Sequence, residues 1–410
     1  MIIEFTVGNF LSFNEKRTIS FEAKGGVSEL KDNYFTSENK KLLRSIVLYG
    51  ANSSGKSNII KAFEIMKTCV LNSIKLNETD ELNYSPFLLS SNSEKESTFF
   101  EIIFVFDNQK FRYGFRYNLT EIVNEWLFEG KTKKTEKVLF IRTQEGIGIS
   151  NDFTEGQGLE ERTNNNRLFI SLVAQLGGKI SNRIIQWFSC HINVVSGIEN
   201  EKYKDVSLEI LNENRDSYAS SIQIFRDLKL GFNDIEIIEK KLFSDKQIKP
   251  EKSKLLLNTI HNKYNDKGKI IDKIAWDNVL HESEGTKKII DLSGLIFDSL
   301  EFGKLLIIDE LDSKLHPLIT IQIIKLFNNP KANPSNAQLL FATHDTNLLS
   351  TDIFRRDQVW FTEKDEVEQT DLYSLDDFVF PDGTKVRKDA NLEKNYIAGR
   401  YDAIPYISNF

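Results

Sequence analysis

The feature that most constrains this 410-residue chain is the run Gly50-Ala51-Asn52-Ser53-Ser54-Gly55-Lys56-Ser57, a full match to G-x-x-x-x-G-K-[ST]. Its flanks fit a phosphate-binding loop. Leu42–Tyr49 is a nearly continuous apolar run, as in a buried central strand. After Ser57, residues Ile59, Ile60, Phe63, Met66 and Val70 recur at helical spacing. A strand, loop and helix in this order aim backbone N–H groups and the positive end of the helix dipole at a bound anion. The glycines let the backbone curl so that successive N–H groups face the phosphates. Lys56 then reaches the β- and γ-phosphates, and the Ser57 hydroxyl ligates Mg²⁺.

A second motif fits the same chemistry. Lys304–Glu310 reads KLLIIDE, an apolar strand that ends in two acids. Carboxylates at a buried strand tip are costly unless a cation or a reaction occupies them. Asp309 suits the role of holding Mg²⁺ and its waters. Glu310 suits that of a general base, or of the group that polarises the attacking water. Gln338–Asp345 places His344 just past a further strand, where it would sense a γ-phosphate; a purely structural strand end is the alternative. Ser283-Glu284-Gly285-Thr286 precedes a helix, and a Ser, a Gly and a helix N-terminus make another anion-binding feature. The phosphate loop and the acid pair are separated by 259 positions, so a large insertion divides the two halves of one core.

The remaining pattern supports an α/β fold. Ile2–Val7 and Thr18–Glu22 alternate as strands, and residues 98–128 read as a β-meander with Asp107-Asn108 as a turn. Residues 130–165 carry weak structure signals, and helical patterns dominate from Asn166 to about Gln247. From 283 to 350 helices and strands alternate as a parallel sheet requires: Ile290–Leu300, Leu305–Ile308, Leu318–Phe327 and Gln338–Ala342. A hairpin is expected through Trp360 and Tyr373. The net charge of −7 argues against a polycationic nucleic-acid coat. The segment Lys240–Lys273 departs from that balance, with ten Lys against Asp245, Glu251, Asp266 and Asp272. It reads first as a solvated lobe and second as a surface for nucleic acid or another partner. Two cysteines, Cys69 and Cys190, exclude a disulfide scaffold and fit a reducing compartment. No apolar run of about 18 residues occurs and the N-terminus carries charges, so a cytoplasmic protein is expected, without membrane contact.

The order of motifs resembles the ABC-type ATPases of the SMC/RecF/OLD group. The phosphate loop in the form G-x-N-x-x-G-K-S-N, ending in Asn58, is similar to theirs. Ser283–Thr286 resembles the ABC signature, although in the form S-x-G-x rather than LSGGQ. Asp309-Glu310 resembles Walker B with its catalytic Glu, Leu311–His316 (with Asp312 and Ser313) the D-loop, and His344 the switch histidine. The likeness is closer still to prokaryotic AAA-family ATP-binding proteins that include abortive-infection, AbiL-like anti-phage ATPases. It is carried by "EFTVGNFLSF", "ESEGTKK", "DELDSKLHP", "ATHDTNLL", "RRDQVWFTEKD" and a C-terminal stretch from Tyr396 to Pro405, in which Asp402 stands where relatives more often have Gly.

That resemblance implies a P-loop NTPase fold of ABC ATPase type. Its sheet would be mixed or parallel with flanking helices, preceded by an antiparallel β part and interrupted by a helical insertion lobe. Residues 1–130 would be the N-terminal half of the core with the β-meander. Residues 131–280 would be a mainly helical insertion, and 281–410 the C-terminal half with signature, Walker B, switch His and a hairpin and tail. It implies ATP and Mg²⁺ as cofactors, with Ser57 and Asp309 at the metal and Glu310 and His344 in catalysis. It also implies a head-to-tail homodimer, or a higher homo-oligomer, with Ser283 and Gly285 acting on the nucleotide of another protomer. Charge agrees: a triphosphate carries about four negative charges, and one protomer offers Lys56 and backbone amides on one side only. Relatives often carry a TOPRIM nuclease fused or encoded beside them. About 60 residues follow His344 and hold no acid cluster fit for a nuclease, so the effector, a nuclease or toxin, is expected to be a separate chain. The alternatives are a RecF-like DNA-binding repair ATPase and a nucleotide-gated scaffold with little turnover.

Overall fold

The computed structural model describes residues 1–37, 40–130, 135–196, 202–241 and 253–404. The chain opens with β1 (Ile2–Gly8) and β2 (Arg17–Ser20), then β3 (Tyr34–Ser37), β4 (Lys40–Leu43) and β5 (Ser45–Tyr49), before helix α1 (Lys56–Asn72). The expected single strand Leu42–Tyr49 is broken at Arg44. Its buried guanidinium donates to Asp32 O at 3.0 Å and Asn333 O at 3.1 Å. These bonds hold Arg44 between the sheets: β4 pairs with β3, whereas β5 enters the core with all five residues buried.

The meander forms as expected from β6 (Thr98–Phe106), β7 (Gln109–Tyr117) and β8 (Ile122–Glu129). Asp107 and Asn108 make its turn, both at positive φ. It continues into β9 (Lys137–Thr143) and β10 (Gly146–Ile149), giving a seven-stranded antiparallel sheet in the order β10-β9-β8-β7-β6-β1-β2. The stretch 131–280, expected to be mainly helical, is therefore mixed. After β10 come α2 (Phe169–Gln175), α3 (Lys179–Cys190), β11 (Ile192–Val195), α4 (Lys202–Glu213) and α5 (Arg215–Asp227). Then β12 (Asp234–Lys241), β13 (Ser253–Tyr264) and β14 (Ile270–Asp277) form a separate antiparallel sheet. Lone polar residues hid these strands: in Asp234-Ile235-Glu236-Ile237 the alternation lasts only four residues before Ile238 breaks it.

Helices α6 (Asn278–His281) and α7 (Glu284–Phe302) lead to β15 (Leu305–Ile308), α8 (Pro317–Asn328), β16 (Gln338–Ala342), the hairpin β17 (Val359–Lys364) with β18 (Thr370–Ser374), and α9 (Leu392–Ile397). The core sheet runs β11-β15-β16-β5-β17-β18, parallel except for the last pair. One apolar core fills the space between the two large sheets around α1, where Phe5 stacks on Phe63 and Phe104 on Trp187, each pair at 3.8 Å between centroids. A second core lies on the other face of the parallel sheet under α7, α8 and the C-terminal segment. Gln338 ties the layers together, accepting from Ile2 N at 2.7 Å and donating to Ile2 O and Leu43 O at 3.1 Å.

Two sequence features acquire structural roles. The Arg355–Gln358 segment is a buried brace: the Arg355 guanidinium donates two hydrogen bonds to the Asp357 carboxylate (2.9 and 2.8 Å), and Gln358 donates to Ser45 O at 2.9 Å. In the C-terminal stretch, Tyr396 packs on Tyr49 and Phe361, at 5.6 and 5.5 Å between centroids. It thereby buttresses the strand that delivers Gly50. Asp402 has φ +55°, a conformation that glycine adopts without steric cost. Pro405 lies outside the described residues.

Helix α7 packs against α4, and Asp291 of α7 faces Lys204 at 3.7 Å. Burial pushes the Asp291 carboxyl up from 3.8 to about 6, with Lys204 opposing. Between those pH values the folded chain holds a proton that the unfolded chain has released. This group therefore favours folding at low pH, and that contribution is lost as pH rises through about 6. Asp291→Asn should stabilise the protein at about pH 7.5 by ~1–3 kcal/mol, with the gain vanishing near about pH 4. Thermal melts at both pH values check this; a gain that does not depend on pH would contradict it.

Candidate functional site

Three parallel strands end side by side. Ile308 of β15 pairs with Phe341 of β16, and Ala342 pairs with Leu48 of β5. The next residues are Asp309-Glu310, Thr343-His344 and Tyr49-Gly50. Backbone bonds extend the alignment: Asp309 N donates to Val195 O, Leu311 N to Ala342 O and Thr343 N to Leu48 O. Sheet register thus brings together residues that lie up to 294 positions apart, Gly50 and His344 among them.

The loop from Gly50 to Ser57 closes over the N-terminus of α1, with Ser53 at φ +63° and Gly55 at φ +116°. Lys56 is buried and its Nζ donates to Gly50 O at 2.7 Å and Ala51 O at 2.9 Å. Burial lowers its pKa to about 8, against the pull of Asp309, Glu310 and Asp312. Asn52 and Ser53 are exposed, Ser54 is buried, and Ala51, Ser57 and Asn58 are half-buried. Both glycines are sterically required. A Cβ on Gly50 would lie 2.4 Å from Thr362 O, and one on Gly55 would lie 2.3 Å from Thr370 Oγ1.

Residues that motif spacing does not reveal hold this loop. Ser54 Oγ lies 2.6 Å from Thr362 Oγ1, and the Thr370 hydroxyl donates to Ser54 O at 2.8 Å. Ser12 accepts from Asn58 Nδ2 at 2.7 Å and lies 2.6 Å from Thr370 Oγ1. The β17–β18 hairpin and the turn after β1 therefore cradle the loop from both sides. The signal that could find Ser12 is its place within the EFTVGNFLSF opening.

Opposite the loop, Glu310 begins a tight turn at φ +52° that ends with Lys314 at φ +62°. Asp309 Oδ1 and Asp312 Oδ1 are buried and have no hydrogen-bond partner among the described residues. Such orphaned carboxylate oxygens beside a phosphate loop fit a hydrated divalent cation. Among the described residues no group of three or more His, Cys, Asp or Glu side chains could hold a metal without other ligands. An ion bound largely through phosphate oxygens needs no such cage. His344 is exposed, and its backbone N–H reaches Asp312 Oδ2 at 3.4 Å. Partial desolvation of the ring at the site edge and the nearby Lys56 charge lower its pKa, opposed by Asp312, Glu310 and Asp309. The five side chains thus share one electrostatic neighbourhood.

Ser283 stands at the N-terminus of α7, exposed, with its Oγ accepting from Thr286 N at 3.1 Å. Gly285 lies against the end of the Glu310–Lys314 turn; a Cβ there would sit 2.7 Å from Lys314 O. Glu284 is drawn down to about 2 by its bonds to Lys314 and Lys287. A cavity of about 320 Å³ separates this helix start from the acid pair, lined among others by Lys204, Glu284, Lys288, Asp309 and Glu310. His316 serves a local purpose, its Nδ1 accepting from Leu318 N at the start of α8. In the lysine-rich segment, the lysines at 263, 267, 269 and 273 are exposed, while 242–252 lie outside the described residues.

A parallel sheet with a phosphate loop on an inner strand and an acid pair on the tip of another defines a P-loop NTPase fold. The chain belongs to the family described as "AAA domain, putative AbiEii toxin, Type IV TA system", whose model matches residues 45–350. Among solved structures it is similar to an Smc head bound to the C-winged helix domain of ScpA. That match has 13% identity and a TM-score of 0.48, and covers 91% of this chain and 97% of that one. No curated protein matches the chain. Among the described residues no helix is long and apolar enough to cross a membrane.

Gly55→Ala should weaken ATP binding more than about 10-fold, because both the positive φ and the Thr370 contact oppose a side chain there. Titration with a fluorescent ATP analogue, with circular dichroism to verify folding, measures this; an affinity within about twofold of wild type would contradict it.

Proposed function

We propose that this chain binds and hydrolyses ATP as a nucleotide-driven dimeric switch in prokaryotic anti-phage defence of the abortive-infection kind, and that it controls a separately encoded effector. The observation that carries the reading is the convergence of Lys56, Asp309, Glu310 and His344 at adjacent strand ends. Lys56 and the α1 N-terminus would bind the β- and γ-phosphates. Ser57 and Asp309 would hold Mg²⁺, which when bound neutralises charge on the phosphate oxygens. Glu310 would orient and deprotonate the attacking water, and His344 would contact the γ-phosphate.

A dimer is supported by chemistry rather than by a contact. Ser283 and Gly285 open a 19-residue helix whose start is exposed, a suitable anion contact for a nucleotide held by another copy. The family description, with its toxin and type IV toxin–antitoxin system, supports a role in defence. The effector would be a nuclease or toxin, a TOPRIM nuclease being one candidate, and this chain would act in the cytoplasm. A RecF-like DNA-repair ATPase is the second reading, favoured by the exposed lysines of the β13–β14 hairpin and opposed by the overall acidic charge. A steep loss of DNA affinity with salt would support it.

Glu310→Gln should cut ATP turnover by at least about 100-fold while leaving ATP bound, and should accumulate an ATP-dependent dimer. Phosphate release and light scattering in Mg-ATP test this. A variant that keeps turnover would remove Glu310 from catalysis, and a wild-type protein with negligible turnover would favour a nucleotide-gated scaffold. Pure protein with Mg²⁺ or Mn²⁺ should not cleave DNA or RNA; cleavage would contradict the separate effector.

A further inference from the structure

Helix α7 reaches the acid pair through a residue outside the signature. One turn after Gly285, Lys288 points inward, and its Nζ donates to Glu310 O at 2.7 Å and Ser313 O at 2.8 Å. The turn that it grips has non-glycine residues with left-handed backbone at both ends, Glu310 and Lys314. Such conformations are strained for residues with a Cβ and persist only where neighbouring contacts enforce them. Lys288 supplies that enforcement from one side, and the backbone N–H of His344, bonded to Asp312 Oδ2, supplies it from the other. The ammonium is half-buried, and burial opposes its charge while Asp312 and Glu310 favour it. A long cation drawn inward to carbonyl oxygens is a costly way to fill space.

We propose that Lys288 is a positioning residue: by clamping the Glu310–Ser313 turn it aims the Glu310 carboxylate, and it ties that turn to the helix that begins at Ser283. The inference rests on the reading of Glu310 as the catalytic base and of Ser283 as the contact to a second nucleotide. Within that reading, α7 links two sites. Its first residues meet the partner's nucleotide, and its second turn sets the geometry of the chain's own catalytic Glu. A shift of α7 on engaging the partner's γ-phosphate is passed to Glu310 through one ammonium.

Lys288→Met keeps the aliphatic stem and removes both hydrogen bonds. It should lower turnover by roughly 100-fold, the scale expected when a catalytic group is misplaced by about 1 Å. Affinity for the ATP analogue should stay within about threefold, because the variant does not touch the phosphate loop. Turnover within about threefold of wild type overturns the proposal, as does a parallel loss of binding and turnover, which a merely structural lysine would give. Glu310→Gln, assayed alongside, separates the two ideas. If it retains turnover, the underlying reading fails. If it loses turnover while Lys288→Met does not, the positioning role alone fails.

Discussion

The register of three parallel strands, β15, β16 and β5, is the constraint on which the site depends. Their pairing places an acid pair, a histidine and a glycine loop on one edge of the sheet. A slip of one residue would turn Ile308 or Leu48 to the opposite face and carry Asp309 or Gly50 with it. The buried apolar residues of these strands therefore do more than stabilise the core. They hold the register, and with it the spacing between the loop that carries Lys56 and the carboxylates of Asp309 and Glu310.

Around this edge the chain has built supports of high sequence separation. The antiparallel sheet packs on the outer face of α1 and contributes Ser12 to the phosphate loop. The β17–β18 hairpin adds Thr362 and Thr370, and the C-terminal segment adds Tyr396 behind Tyr49. Each support fixes a group that would otherwise be free to rearrange when a triphosphate arrives. The cost of ordering the loop is thereby met by folding rather than by binding.

The core was legible in the sequence because its signals are local. Gly50–Ser57 needs particular residues at fixed spacing, and KLLIIDE is a buried strand whose acids could not be explained as core. The meander and the α/β alternation of 283–350 were visible from periodicity for the same reason. What escaped was set by long-range contact. Arg44 splits an apolar run because carbonyls from Asp32 and Asn333 meet it, and no local pattern announces that. Strands β9 and β12–β14 keep an alternating pattern only in pieces broken by polar and charged residues, which read as loop or helix. Thr370 lies in no motif, and Lys288 closes the ESEGTKK stretch without any spacing that announces its role; the roles of both come from partners more than 20 residues away.

Two protomers sharing each nucleotide is the central claim, and complementation between two inactive variants tests it most directly. Lys56→Ala removes the phosphate lysine but leaves the signature intact, and Ser283→Arg does the reverse. Mixed in equal amounts, they can form one composite site from the loop of the second and the signature of the first. Turnover that appears on mixing, where each variant shows none, is the predicted result. A mixture as inactive as its parents would contradict a shared site.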